Sequence, residues 1–454
     1  MTAVLLMCCP PKEHYKLQKL LTGDVRMIKK KLIPCMYLYS GKAVAGFREH
    51  NDFECKDVKE LASFYSDNGA DGILVFDLSR GDAQHEESIN KLKEIADTAE
   101  VPIISAGNIK RAEDVKKILY AGCEKAILNF GKQSNVDLIE EVSKRFGKEK
   151  IAVCVAALDE YTNNRDLIEE YASLILCLNE IYEDIAKNSA LEILVHTTAE
   201  TQDAVFSQLK SNAVSAVSGT FISDLTIVLM DVKAACKKEN IGVYTLESRI
   251  DWSEFKLNSD QMLPVIVQDY KTDEVLMLAY MNEKSFKVTL EIGKMTYWSR
   301  SRNELWTKGL TSGHVQYVKS LSLDCDNDTI LAKVSQVGAA CHTGNRTCFF
   351  KEIVRKDYKE SNPLKVFQNV YNVILDRKEN PKEGSYTNYL FDKGIDKILK
   401  KVGEECTEIV IAAKNPEKEE IKYEISDFLY HVMVLMAEKG VSWEDITKEL
   451  AHRS

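Results

Sequence analysis

The densest set of side chains able to do chemistry lies in residues 324–348. This stretch holds three cysteines and three aspartates, which are Cys325, Cys341, Cys348, Asp324, Asp326 and Asp328. Thiolates are ligands that suit zinc, and carboxylates are ligands that suit magnesium. If the first five residues form a strand, alternate residues share a face, so the three aspartates converge and the cysteine points the other way. The stretch therefore predicts a zinc site and a magnesium site.

Three protein ligands around a zinc ion are typical of a catalytic centre. The fourth position can hold a water molecule, and the metal lowers the pKa of that water. The spacing of the cysteines matches no common structural zinc module. A plainer alternative stays open here, in which the cysteines are core residues and the aspartates belong to a solvated turn.

The sequence around these residues resembles a known enzyme family. The motifs, in chain order, are Tyr280-Met281-Asn282, Ser299-Arg300-Ser301-Arg302, Leu305-Trp306, Lys308-Gly309, Ser312-Gly313-His314, Asp324-Cys325-Asp326 and Cys341-His342. Over residues 255–350 the series resembles phosphoribosyl-AMP cyclohydrolase, an enzyme of histidine biosynthesis. The resemblance implies that the three cysteines hold zinc and the three aspartates hold magnesium. It also implies that water adds to C6 of N1-phosphoribosyl-AMP and that the N1–C6 bond breaks.

Polar side chains of the same region are candidates for contacts with the substrate. We predict as substrate-binding residues Arg300, Arg302, Trp306, Lys308 and Ser312. The three cations suit phosphate groups, while the tryptophan either stacks on the base or belongs to the core. His314 and His342 are candidates for proton transfer or are structural histidines.

Residues 250–355 are predicted to form one small α+β domain with antiparallel pairing. Residues 264–269 and 274–280 alternate as a hairpin around a short turn, and a short helix follows that Gly293 closes. Cys325 is distant in sequence from Cys341 and Cys348. The resemblance therefore suggests a homodimer in which the site is completed across the interface of this domain.

The last ninety residues carry a second set of carboxylates on helical patterns. Apolar residues recur at intervals of three and four, which predicts an all-α bundle over residues 364–454. Glu404, Glu405 and Glu408 lie on one predicted helix, and Glu424 and Asp427 lie on the next. Carboxylates that face each other in a bundle repel unless a cation binds, and oxygen ligands suit magnesium. The plainer alternative is solvated charge on the helix surfaces.

The sequence of this region resembles phosphoribosyl-ATP pyrophosphohydrolase, a member of the all-α nucleotide pyrophosphohydrolases. The segments that carry the resemblance are residues 385–415 and 423–436. The resemblance implies that the five carboxylates hold magnesium, which bridges phosphates and activates water, with Glu405 in the catalytic set. Lys393, Lys397 and Lys401 are spaced four apart and either meet the triphosphate or lie on a solvated face.

Eight apolar, β-rich runs with helical stretches between most of them occupy residues 29–247. They are residues 32–38, 72–78, 102–107, 125–130, 151–157, 173–179, 192–198 and 214–221. The count fits a (β/α)8 barrel, and a doubly wound sheet is the alternative. The region loosely resembles the barrel enzymes of histidine biosynthesis, the phosphoribosylformimino isomerase and the cyclase subunit of imidazole glycerol phosphate synthase.

The barrel region departs from that family where the family does its chemistry. The two strand-end aspartates read Tyr37 and Ala156, and a glycine-rich phosphate cradle reads as residues 196–199 without glycine. An alanine cannot do acid–base work, and a tyrosine is a poor substitute for a carboxylate. We therefore expect an inactive barrel that serves as a scaffold or dimerisation surface. The alternative is a retained ligand at the polar strand ends, which carry Asp77, Ser79, Arg80 and Asn129.

Composition is that of an ordinary protein of 454 residues with several domains. The net charge of −10 argues against a general nucleic-acid binder. We expect no signal peptide, no membrane span and a cytoplasmic location, because no apolar run is long enough to cross a bilayer and the twelve cysteines look like reduced thiols. Residues 1–28 are a lead-in without an assignment.

Together the two resemblances imply a bifunctional hydrolase that acts on nucleotides and uses zinc and magnesium. The C-terminal domain would release pyrophosphate from N1-phosphoribosyl-ATP, and the middle domain would then open the ring of the product. One competing function is a related metal-dependent deaminase or pyrophosphatase that acts on another nucleotide. Another is a non-enzymatic assembly protein, which the intact metal ligands in two domains argue against.

Overall fold

The computed structural model describes residues 29–47, 57–357, 361–416 and 418–451. The predicted lead-in, residues 1–28, lies outside the described residues. The described residues up to Lys351 form one compact unit, and those from Glu352 onward form a second.

The first unit opens with a closed sheet. Its strands are β1 (Lys31–Leu32), β2 (Cys35–Tyr39), β3 (Lys42–Val44), β4 (Ile73–Asp77), β5 (Ile103–Ala106), β6 (Lys125–Asn129), β7 (Ile151–Val155), β8 (Leu174–Cys177), β9 (Glu192–Thr197) and β10 (Ala216–Gly219). Neighbouring strands follow the order β1-β10-β9-β8-β7-β6-β5-β4-β2-β3. Two residues separate β1 from β2, β1 pairs in parallel with β10, and β2 pairs in parallel with β4. The first strand segment therefore joins both ends of the sheet, and the predicted (β/α)8 barrel is confirmed.

Helices cover the outside of this barrel. They are α1 (Val58–Asp67), α2 (Asp82–Thr98), α3 (Ala112–Tyr120), α4 (Gln133–Phe146), α5 (Leu158–Thr162), α6 (Arg165–Tyr171), α7 (Tyr182–Ala186), α8 (Gln202–Lys210), α9 (Thr220–Ser223) and α10 (Leu229–Lys238). Because side chains alternate across a strand, one set packs under the helices and the other fills the interior. The interior set is apolar and includes Leu74, Phe76, Ile104, Leu176 and Leu194.

A smaller domain follows in the same unit. Its elements are β11 (Leu263–Asp269), β12 (Val275–Met281), α11 (Glu283–Ile292), β13 (Thr296–Ser299), β14 (Glu304–Thr307), β15 (Gln316–Leu323) and β16 (Ile330–Gln336). The order β12-β11-β16-β15 makes a four-stranded sheet, and β13 and β14 form a separate hairpin. The predicted hairpin of β11 and β12 is present, and α11 ends at Gly293, whose φ is 70°. The prediction of antiparallel pairing is wrong for one pair, because β11 and β16 run parallel. Alternation along a strand reports which face is buried and does not report the direction of its partner.

One contact between the small domain and the barrel is made by a lysine of an edge strand. The pairing of β15 with β16 shifts between Val318 and Ser320, so Lys319 sits at an irregularity of the ladder. Its ammonium lies 3.6 Å from Asp67 at the end of α1 and bonds Glu100, which also accepts a hydrogen bond from Tyr270. A β-bulge can redirect a side chain, and here it aims a lysine at two carboxylates of the barrel.

The second unit is all-α, as predicted. Its helices are α12 (Pro363–Glu379), α13 (Tyr386–Lys393), α14 (Ile395–Ala412), α15 (Lys418–Lys439) and α16 (Trp443–Ala451). The core is built from residues such as Ile374, Leu390 and Val434. Before α16, Ser442 and Asp445 form a reciprocal N-terminal cap: Ser442 N donates to the carboxylate at 2.7 Å, and Asp445 N donates to the hydroxyl at 3.2 Å. Within the ranges described above, none of the helices has the length and apolar character of a membrane span.

Candidate active sites

The helical unit brings three carboxylates together. Glu405 on α14 and Glu424 and Asp427 on α15 each place an oxygen within 4.8 Å of the other two. Glu405 is only 4% exposed, while Glu424 is half-buried and Asp427 is exposed. Two packed helices therefore form a carboxylate cluster in which Glu405 is buried and Asp427 is accessible to solvent.

The electrostatics of this cluster favour a bound cation. Burial raises the pKa of Glu424, and the neighbouring Glu408, Glu405 and Asp427 raise it further. Like charges this close disfavour one another, and a divalent cation with oxygen ligands would relieve the repulsion. The donor set, which is all oxygen and part buried, fits magnesium.

The other two predicted ligands lie beside the cluster. Glu408 is exposed and faces Glu424 closely enough to raise its pKa. Glu404 instead pairs with Lys400 at 3.3 Å and Lys401 at 3.0 Å, and the hydrogen bond from Lys401 is the main cause that lowers its pKa. Consecutive helical residues point about 100° apart, so Glu404 points away from the cluster that Glu405 joins, and Lys401 lies between the two carboxylates.

The three predicted phosphate-binding lysines do not share one helix face. Lys393 ends α13, and Gly394, with a φ of 75°, separates it from α14, which carries Lys397 and Lys401. The spacing of four therefore does not place the three lysines on one helix, because a glycine with positive φ ends α13. Lys401 borders the cluster, with its ammonium 3.5 Å from Glu405.

Sequence reasoning missed two residues beside the cluster, His431 and Tyr386. His431 is 5% exposed; its Nδ1 donates to the carbonyl of Asp427 at 2.8 Å and lies 3.7 Å from Glu405. In the neutral ring Nε2 then accepts the hydroxyl of Tyr386 at 3.0 Å. His431 follows Asp427 by four residues, a spacing that puts both on one helix face and could have indicated it.

In the small domain, a loop carries two of the three predicted zinc ligands. The loop closes on itself through Cys341 N to Asn345 O at 3.1 Å, and it joins the edge strand β12 through Cys348 N to Leu276 O at 2.7 Å. Arg346 pins the loop to the first hairpin, with a bond of 2.7 Å to Asp269. These bonds fix the spacing between the two thiols.

The two thiols of this loop are neighbours. A hydrogen bond from Thr343, whose hydroxyl lies 3.0 Å from the sulfur, is the main cause that lowers the pKa of Cys341. Burial raises the pKa of Cys348, and the adjacent Cys341 raises it further. Lys308 is 6% exposed; burial lowers its pKa, and the two thiols act against that shift. Two adjacent cysteine sulfur atoms, one with a lowered pKa, are ligands of the kind that zinc prefers.

The third cysteine lies elsewhere in the chain, in the turn between β15 and β16. The strand considered for residues 324–328 is not formed; the segment is a turn in which Asn327 has a φ of 66°, which agrees with the alternative of a solvated turn. Asp and Asn favour such turns by bonding nearby backbone, as Asp324 does with the N–H groups of Asp328 at 3.0 Å and Thr329 at 3.2 Å. Cys325 is exposed, and it does not join the other two sulfur atoms in a metal-sized cluster within the described chain.

The three aspartates of the turn nevertheless converge. Asp324, Asp326 and Asp328 place oxygens within 4.8 Å of one another, all exposed. Burial raises the pKa of Asp324, but hydrogen bonds from the backbone and from the neighbouring aspartates together lower it by more, so the charged form is favoured. The oxygen set fits a hard cation.

The remaining predicted residues of the small domain lie in three kinds of surroundings. The Arg300 guanidinium stacks 3.9 Å from the ring centre of Tyr280, and Arg302 pairs with Glu304 at 3.3 Å. Trp306 packs against the core. The exposed positions are Ser312 and His342, while the ring of His314 lies against Gly338, where a Cβ would come within 2.7 Å of it.

In the barrel, aromatic rings surround Tyr37, which stands at the strand end where the resembling barrel enzymes carry an aspartate. Tyr37 stacks on Phe76 with ring centres 5.4 Å apart, and Phe47 meets both edge-on. The Tyr37 hydroxyl lies 3.1 Å from Nε2 of His196, and burial lowers the pKa of that histidine to about 4. The barrel interior at this point is apolar and aromatic.

The polar strand ends that could have kept a ligand are bonded within the barrel. Asp77 is buried and bonds His85 at 2.6 Å and Ser79. Asn129 accepts the N–H of Gly131 at 2.9 Å. Ala156 donates its N–H to Glu160 at 2.7 Å.

Three family models match separate parts of the chain. The model described as phosphoribosyl-AMP cyclohydrolase matches residues 277–350. The model described as phosphoribosyl-ATP pyrophosphohydrolase matches residues 367–454. The model described as histidine biosynthesis protein matches residues 31–201, which lie within the barrel.

Curated relatives match less than half of this chain at nearly their own full length. "Histidine biosynthesis bifunctional protein HisIE" of Thermoanaerobacter pseudethanolicus is 55% identical over 209 residues, which cover 43% of this chain and 97% of the relative. The protein of the same name from Lactococcus lactis subsp. lactis is 50% identical, and the match covers 43% of this chain and 90% of the relative. The one from Bacillus subtilis is 46% identical, with 44% and 95% covered.

Proposed function

Since this chain belongs to the HisIE family of bifunctional histidine biosynthesis proteins, we propose that it is a hydrolase that catalyses two consecutive steps of that biosynthesis. The helical unit removes pyrophosphate from N1-phosphoribosyl-ATP. The small domain then opens the adenine ring of N1-phosphoribosyl-AMP. The observation that carries the proposal is the coexistence of an oxygen-donor cluster in one unit and a thiol pair in the other, each within the matching family segment.

For pyrophosphate release, Glu405, Glu424 and Asp427 would hold magnesium, with Glu408 at the margin. The metal, when bound, supplies positive charge against the phosphate oxygens. Lys401 adds a cation at the edge of the cluster and can reach a phosphate. The buried Glu405 is the group placed to orient an attacking water. Its carboxylate is shielded from bulk solvent, and Lys401 is the hydrogen-bond donor that contacts it.

For ring opening, Cys341 and Cys348 would hold zinc together with Cys325. The metal, when bound, supplies Lewis acidity that makes water a nucleophile at neutral pH. Lys308 stabilises the thiolates by its charge. His342 follows a ligand directly and is exposed, so it can exchange a proton with the purine nitrogen as the N1–C6 bond breaks, and His314 is the alternative.

The separation of Cys325 from the thiol pair supports a homodimer through the small domain. One chain would contribute Cys341 and Cys348, and the second chain would contribute Cys325. Arg300 and Arg302 then remain on the exposed hairpin as phosphate contacts, and the exposed Ser312 is a further candidate contact.

We propose that the barrel has no catalytic role. Aromatic rings stand where barrel enzymes of this pathway carry an aspartate, and the polar strand ends are already bonded. Its use as a scaffold follows from its contact with the small domain through Lys319.

A two-step assay tests these assignments. N1-phosphoribosyl-ATP is supplied with magnesium and zinc, and pyrophosphate and the ring-opened product are followed separately. Cys341→Ala should stop only ring opening, and Glu405→Gln should stop only pyrophosphate release. If the wild-type protein yields neither product, the proposal fails. If it prefers ordinary ATP, a related reaction on another nucleotide replaces it.

A further inference from the structure

Two tyrosines on the outer face of α13 are exposed without an assigned role. Tyr386 and Tyr389 are 45% and 43% exposed, and their rings lie 6.2 Å apart at an angle of 24°. The opposite face of the same helix is buried through Leu390 and Thr387, and the Thr387 hydroxyl bonds Tyr430 on α15 at 2.7 Å. The helix is therefore held in place while two nearly parallel rings face solvent.

These rings adjoin the carboxylate cluster. The hydroxyl of Tyr386 bonds the buried His431 at 3.0 Å, and His431 lies 3.7 Å from Glu405. Burial raises the pKa of Tyr386, so its hydroxyl stays protonated at neutral pH and remains able to donate. The hydroxyl end of the Tyr386 ring is therefore fixed at the site. This bond sets the orientation of the ring face beside the candidate metal ligands.

Cations stand at both ends of the ring pair. Lys401 lies at the carboxylate end, 3.5 Å from Glu405. Lys393 lies at the other end, with its ammonium 5.9 Å from the ring centre of Tyr389. Along α13 the order is Tyr386, Tyr389 and Lys393, which spans seven residues, or about 10 Å of helix.

We infer that Tyr386 and Tyr389 form a stacking platform for the purine ring of the substrate, with Lys393 as the contact for the phosphoribosyl phosphate. The inference rests on the proposed pyrophosphate release. Its chemical reason is the shape of that substrate, which carries a triphosphate on one side of the purine and a second phosphate on the N1 side. Aromatic faces bind bases by stacking, and lysine binds phosphate as a point charge. A nucleotide whose triphosphate meets Lys401 and the carboxylates would lay its base over the tyrosines.

Binding and kinetics on the full chain test the platform. N1-phosphoribosyl-ATP is titrated into a Glu405→Gln background with magnesium, and KM and kcat for pyrophosphate release are measured in the active background. Tyr389→Ala should weaken binding and raise KM by about 5- to 50-fold, as removal of one stacking ring does, with little change in kcat. Tyr389→Phe should bind like the parent. Lys393→Ala should weaken N1-phosphoribosyl-ATP but leave the binding of ATP unchanged.

Tyr120→Ala is the matched control. Tyr120 is exposed on a barrel helix and, like Tyr389, has a lysine four residues away over its ring, at 5.8 Å. If the wild-type protein releases no pyrophosphate, the proposed function fails and the platform fails with it. If the wild type is active and Tyr389→Ala binds and turns over like Tyr120→Ala, the platform alone is overturned.

Discussion

At the scale of single residues, the two candidate sites use burial differently. In the helical unit, Glu405 is buried among charged partners and close to His431 and Lys401. In the small domain, the cysteine pair lies beside a buried lysine. Removing a charged group from water costs free energy unless polar or charged partners surround it. The buried Glu405 and Lys308 are therefore each expected to have such partners in the fold.

His431 should matter for pyrophosphate release although sequence patterns did not indicate it. We expect His431→Ala to lower the rate of pyrophosphate release by about 10- to 100-fold, because partners that orient metal ligands have effects of this size. Magnesium affinity, from a titration of activity and of bound metal, should fall as well. Ring opening assayed with N1-phosphoribosyl-AMP is the internal control and should not change. Normal magnesium affinity and rate in the variant would remove His431 from the site.

His196 should make the barrel sensitive to mild acid. Burial lowers its pKa to about 4, below the value of about 6.5 in an unfolded chain. The fold therefore favours the neutral ring, and the stability that depends on it is complete above pH 6.5 and is lost as the pH falls toward 4. The full effect is about 3 kcal/mol, at 1.36 kcal/mol for each pKa unit.

Unfolding by urea at several pH values between 7 and 4.5 measures this effect. His196→Phe keeps an aromatic ring among Tyr37, Phe47 and Phe76 but cannot take up a proton. The variant should lose less stability over this pH range than the wild type does. Parallel pH profiles for the two proteins would show that His196 does not titrate on unfolding.

At the scale of elements, the loop over residues 341–348 depends on its attachment to the first hairpin. Arg346 holds Asp269 and Glu274, and Cys348 N bonds the edge strand. Without the arginine, the loop keeps its own backbone hydrogen bonds but loses the ion pairs that attach it to the sheet. The distance between thiols is then less constrained.

Arg346→Ala should therefore weaken zinc binding by about 10-fold, within the range known for groups that support metal ligands. Competition with a chromogenic chelator measures the affinity. Arg355→Ala is the comparison, because Arg355 is exposed and pairs with Glu352 outside the loop. Equal zinc affinities in the two variants would mean that the loop holds its shape without Arg346.

The elements also show which local predictions succeed. All eight barrel strands and the first hairpin of the small domain agree with the alternation and the turn residues of the sequence. Periodicity does not show where an element ends, and at residues 324–328 and at Gly394 short-range turn chemistry decides this. At both positions a residue with a positive φ interrupts the regular structure.

At the scale of the whole molecule, the barrel is tied to the small domain by Lys319. Its side chain is 21% exposed, and those of Asp67 and Glu100 are 17% and 35% exposed. Lys319→Glu would leave three carboxylates together and should lower the free energy of unfolding of this unit by about 1–3 kcal/mol, less than a fully buried pair because water still reaches the group.

Denaturant unfolding of the variant tests this contact. Lys333→Glu is the matched control, since Lys333 lies on the adjacent strand and pairs only locally, with Asp273 at 2.8 Å. Adding Glu100→Lys to Lys319→Glu should recover part of the loss. Similar stabilities for the two single variants would mean that the barrel docks without help from Lys319.

The proposed sharing of zinc between chains makes a prediction for mixed assemblies. Cys325→Ala and Cys341→Ala should each abolish ring opening alone. If the site combines Cys325 of one chain with the thiol pair of another, subunits exchanged between the two variants restore one intact site in each mixed dimer. Activity should return to at most about half of the wild-type value. A mixture that exchanges subunits, as tagged copurification would show, and stays inactive would place all three ligands in one chain.

The amino-acid sequence by itself was enough to predict the barrel and the helical unit, and it proposed three groups of candidate metal ligands. These depend on periodicity, on donor type and on resemblance, all of which are local properties of the chain. Only the tertiary structure decided that β11 and β16 run parallel, that Cys325 is apart from its partners, and that His431 and Lys319 face carboxylates on other elements. The reason is physical: which surfaces meet depends on packing between residues far apart in the chain, and no pattern within one helix or strand contains that information.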